Sequence, residues 1–86
     1  MPPLKYIEKH IVVQIDGQQK EAVEALDDAV QAITYASERM EVPEETDYDV
    51  IFAELEAADH KLDLARRRMA TVRGLRLGLS GVRRAK

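Results

Sequence analysis

The chain has 86 residues, a net charge of −3 and no cysteine, so it reads as one small domain without disulfides, zinc ribbons or thiol redox chemistry. Hydrophobic residues at 45% and charged residues at 34% place it among folded helical proteins rather than disordered chains. Its four aromatic residues, Tyr6, Tyr35, Tyr48 and Phe52, are too few and too scattered for a platform that stacks nucleobases.

Residues 1–16 form an N-terminal segment of ambiguous pattern. Ile7, Ile11, Val13 and Ile15 share one parity and are β-branched, which predicts a short strand. Leu4, Ile7, Ile11 and Ile15 also fit one helix face. The strand is the favoured expectation, with Asp16-Gly17 as punctuation.

The spacing predicts a first helix over 17–41. Val23, Leu26, Val30, Ile33, Ser37 and Met40 recur at alternating steps of three and four, the seam of a coiled-coil-like helix. Beside it runs a stripe of small residues, Ala22, Ala25, Ala29, Ala32 and Ala36. Alanine is the best helix former, but the regular spacing favours close packing of a neighbouring backbone along this side. Pro43 ends the helix, since a residue before proline avoids the helical conformation.

Thr46 and Asp49 resemble a capping box that opens a second helix over 46–73. Tyr48, Ile51, Leu55, Ala58, Leu62, Ala65, Met69 and Val72 give it an unbroken seam. Acids at its start and arginines near its end match the helix dipole. Two helices of similar length with a short linker predict a mainly α, antiparallel two-helix hairpin. Gly74, Gly78 and Gly81 weaken any helix beyond, so residues 74–86 are expected to be a flexible basic tail.

Catalytic chemistry finds no foothold in this pattern. Glu56, Asp59, His60 and Asp63 resemble a metal cluster, but they lie off the Leu55–Ala58–Leu62 seam and read as a solvated face. His10 is a lone histidine, Ser37 and Ser80 have no base arranged near them, and the glycines do not form a phosphate loop. The expectation is no enzyme, no metal and no cofactor. An N-terminal strand followed by two helices is also the element order of ribbon-helix-helix repressors. The face His10, Val12, Gln14 and Asp16 has no arginine, however, and the helices are about twice too long, so that family is not assigned.

Charge is unevenly placed along the chain. Residues 1–65 hold all sixteen acids and five basic residues, whereas residues 66–86 hold eight basic residues and no acid. Such asymmetry marks a candidate interaction element. Its members are Arg66, Arg67, Arg68, Arg73, Arg76, Arg83, Arg84 and Lys86, with the apolar Leu75, Leu77 and Leu79. One small seam leaves apolar surface uncovered, so a homodimer is expected. The expected function is that of a non-catalytic helical regulator that binds another protein. The alternative is a nucleic-acid binder acting through the basic end. No apolar run has the length of a signal core or a membrane span, so the expected location is cytoplasmic, with no membrane partner.

Overall fold

The computed structural model describes residues 4–85. It contains two long helices, α1 (Leu4–Arg39) and α2 (Tyr48–Arg84), joined through a single 3-10 turn at Pro43–Glu45. No strand occurs among the described residues. The shape is a rod of 66 × 16 × 13 Å. Its radius of gyration of 19.3 Å compares with about 12 Å for a compact chain of this length.

Contacts between the helices run in opposite chain order. Asp28 meets Lys61, Glu21 meets Arg68, and Glu8 meets Arg83, so residue numbers fall along α1 as they rise along α2. The helices are therefore antiparallel over their whole length. Their buried contact line sets alanines of α1 against a mixed row on α2, with alanine against alanine at its centre. On α1 it consists of Ala22, Ala25, Ala29 and Ala36. On α2 it consists of Ile51, Ala58, Ala65, Val72 and Leu79, spaced every seventh residue. Short side chains allow the two axes to approach closely. The alanine stripe is thus a packing surface and not mere helix propensity.

The bulky seam expected for α1 lies elsewhere. Val23, Leu26, Val30, Ile33 and Met40 are all exposed, with Val30 at 60%. On α2 the expected seam splits in two. Ile51, Ala58, Ala65 and Val72 are buried, while Tyr48, Leu55 and Met69 are exposed. A heptad with two adjacent apolar stripes fits two different neighbours, and alanine wins the intrachain contact because it costs no steric standoff.

Both ends of the chain correct the sequence reading. Residues 4–16 belong to α1, and the expected strand does not form. Ile7, Ile11 and Ile15 are half-buried on one helix face. Tertiary packing on that face overrides the β-branched preference. The expected flexible tail is instead helical to Arg84. Leu79 is buried there, and Leu75 and Val82 are half-buried. These residues continue the interhelix line, and the packing outweighs three helical glycines at roughly 1 kcal/mol each. Each terminal segment covers the other, a relation between distant parts of the sequence.

The α2 cap sits one residue later than the capping-box reading placed it. Asp47 Oδ1 accepts from the amides of Asp49 (3.1 Å) and Val50 (3.4 Å). Thr46 Oγ1 instead donates to the carbonyl of Val42 at 3.1 Å, closing the 3-10 turn.

Candidate interaction surface

The rod has two unlike long faces. On one, α1 carries Val12, Gln19, Leu26 and Ile33 at seven-residue intervals, a series that Met40 extends just past the helix end, with Val23 and Val30 beside them. On α2 the matching series is Tyr48, Leu55, Leu62, Met69 and Arg76. Residues seven apart stay within about 20° on a helix, so each series is one continuous stripe. Leu26 of α1 and Leu62, Ala65 and Met69 of α2 line one groove, which places both stripes on the same side. Arg66 and Arg73 rim this groove. A second groove follows along α2, lined by Met69, Val72, Arg76 and Leu77.

The opposite face is charged. Glu21, Asp28, Lys61 and Arg68 line a groove there. Lys61 Nζ lies 3.3 Å from Asp28, and Arg68 Nε lies 3.0 Å from Glu21. Arg68 also donates from Nη1 to Gln18 at 3.3 Å. These pairs are half-exposed and contribute roughly 0–1 kcal/mol each. Their use is to fix the antiparallel alignment and to leave this face solvated.

The apolar face has no comparable cover. Val23, Leu26, Val30, Ile33, Leu55 and Met69 are each between 43% and 60% exposed. The accessible surface of the chain is 6741 Å². A compact protein of 9.7 kDa would expose about 5,100 Å². The excess follows from the rod shape, whose interior among the described residues is one interhelix row of alanines with Ile51, Val72 and Leu79.

The structure separates the residues of the expected basic element. Arg67 is bound to Asp63 at 2.7 Å, Arg83 to Glu8 at 3.0 Å, and Arg68 to Glu21. Arg84 Nε donates to the carbonyl of Ser80. Arg66, Arg73 and Arg76 make no ion pair within the described chain and stand along the apolar grooves. Leu79 is buried between the helices and is removed from any outer surface, whereas Leu77 is exposed. Lys86 lies outside the described residues.

Sequence reasoning missed the aromatic end of the apolar face. Tyr48 and Phe52 are 66% and 67% exposed, beside the acidic linker. Both stripes of α1 are legible in the sequence; what the spacing leaves open is which of them faces α2. Glu56, Asp59, His60 and Asp63 are all exposed, and Asp63 is engaged by Arg67. No group of three or more potential metal ligands occurs among the described residues. No described helix is long and apolar enough to cross a membrane.

No protein-family model matches this sequence, and neither curated proteins nor solved structures give a match.

Proposed function

We propose that this chain is a non-catalytic, coiled-coil-like helical hairpin that acts by binding another protein and associates with itself as a homodimer. The observation that carries this reading is the continuous apolar face shared by both helices, set back to back with a charged face. Burial of such a surface is the main driving force of protein association. A cytoplasmic regulatory or assembly role fits a cysteine-free chain of this kind.

Sedimentation equilibrium tests the reading directly. The wild-type chain is expected to sediment at twice its 9.7 kDa mass at micromolar concentration. A Leu26→Glu/Leu62→Glu variant should sediment as a monomer with its helical circular dichroism retained, because both residues lie on the outer groove. A wild-type monomer across the whole concentration range would overturn self-association.

A second reading rests on Arg66, Arg73 and Arg76, which carry charge not used within the chain. It makes the basic end a nucleic-acid contact. Binding to a random-sequence duplex should then fall steeply as salt rises. The acidic linker half of the rod opposes this reading, because it would repel a phosphate backbone.

A further inference from the structure

We infer that the apolar face is covered by a second copy of this chain lying antiparallel to the first, with Leu26 and Leu62 on the two-fold axis. This rests on the reading of that face as a contact surface and adds the identity and direction of its occupant.

Charge selects the direction. The linker half of the rod, residues 22–65, has thirteen acids and two basic residues, a net −11. The terminal half, residues 4–21 and 66–85, has ten basic residues and three acids, a net +7. Two rods laid parallel would bring acidic half against acidic half and arginines against arginines. Two rods laid antiparallel bring the acidic linker end of each towards the arginines of the other. Arrangements of complementary charge set register and suppress wrong pairings.

The stripes select the register. The α1 series from Val12 to Met40 is centred on Leu26, and the α2 series from Tyr48 to Arg76 is centred on Leu62. Both centres line the same groove. A two-fold axis crossing the rod there sets α1 on its own copy and α2 on its own copy, each pair antiparallel. Leu55 then meets the second copy's Met69, and Ile33 its Gln19. Tyr48 meets the second copy's Arg76. Along the adjoining row of α2, Phe52 comes to Arg73 and Asp59 to Arg66 of the second copy. Each exposed arginine on this face thus finds an aromatic ring or a carboxylate, and guanidinium groups bind both well.

The face is long enough for such a contact: its exposed apolar residues run from Val12 to Met40 in one arm of the hairpin and from Tyr48 to Leu77 in the other. The product is a four-helix bundle in which every neighbouring helix pair runs antiparallel.

Single-cysteine cross-linking tests this, since the natural chain has no cysteine to interfere. Leu26→Cys and Leu62→Cys should each cross-link to their own copies with a short bismaleimide. Tyr48→Cys should link to Arg76→Cys in a mixture of the two variants, and not to itself. In the parallel arrangement, α1 faces the second copy's α2. Leu26→Cys would then link to Leu62→Cys and not to itself, and that result would overturn the inference.

A charge exchange gives a second measurement. Asp59→Arg and Arg66→Asp should each weaken the dimer tenfold or more, because each creates two like-charge contacts per dimer. The combined Asp59→Arg/Arg66→Asp chain should recover most of the affinity, while two losses that simply add would overturn the register. If the wild-type chain sediments as a monomer, the contact-surface reading falls first and this inference falls with it. A dimer with the wrong cross-links removes the antiparallel register alone.

Discussion

Ala22, Ala25, Ala29 and Ala36 are the residues on which the helix pair closes, and each is almost wholly buried. Their value is what they lack, since every added methylene would hold the axes apart. Ala29→Leu is therefore expected to destabilise the fold by about 1–3 kcal/mol through overpacking. Leu55→Ala should cost less than about 1 kcal/mol in a dissociated chain, because Leu55 is exposed there. Urea unfolding at concentrations below the dimer dissociation constant checks both. The larger loss at the smaller native residue would contradict the usual ranking of core substitutions by size. Equal losses at Ala29 and Leu55 would show that the alanine line is not the intrachain core. Asp47 belongs to the same scale: one carboxylate oxygen accepts from two amides and starts a helix of 37 residues.

At the scale of elements, the two termini are one structural unit. The first turns of α1 present Ile7, Ile11 and Ile15, and the last turns of α2 present Leu75, Leu79 and Val82. Neither segment has strong helix character alone. One is β-branched, and the other contains Gly74, Gly78 and Gly81. A chain cut after Gly74 should thus lose more helical signal than the removed residues supply, because the start of α1 loses its cover and frays. Circular dichroism of the truncated chain measures this. A loss confined to the removed residues would show that α1 holds its N-terminal turns without α2. The local pattern of these segments pointed to a strand and a flexible tail, because the apolar packing that decides them joins the two ends of the sequence, a separation marked by the pair Glu8 and Arg83, 75 residues apart.

At the scale of the whole molecule, the rod is too thin to contain a conventional core. Its buried hydrophobic residues are six alanines, Ile51, Val72 and Leu79 among the described residues. In the proposed dimer, so small an interior would be supplemented by the apolar surface buried on association. The melting temperature of the chain should therefore rise with protein concentration, by several degrees for each tenfold increase while the dimer dissociates on unfolding. Calorimetry over a hundredfold range of concentration checks this. A melting temperature independent of concentration would mean that the helix pair is stable by itself and that its apolar face serves some other partner.

The sequence by itself determined the helical class, the break at Pro43, the two long helices and the acidic-to-basic polarity, because local spacing and charge are written residue by residue. Its periodicity also showed that α1 has an alanine stripe and a bulky stripe side by side. Which stripe would face α2 was a tertiary decision. Both have the same repeat, and only the fit of α1 against Ala58 and Ala65 of α2 separates them. Alanine against alanine brings the axes close enough for Asp28 to reach Lys61 and Glu21 to reach Arg68, and it turns Leu26, Ile33, Leu55 and Met69 outward. The helical state of both termini is likewise a tertiary matter, because each segment packs its apolar residues, Ile7, Ile11 and Ile15 on α1 and Leu75, Leu79 and Val82 on α2, along the line between the helices.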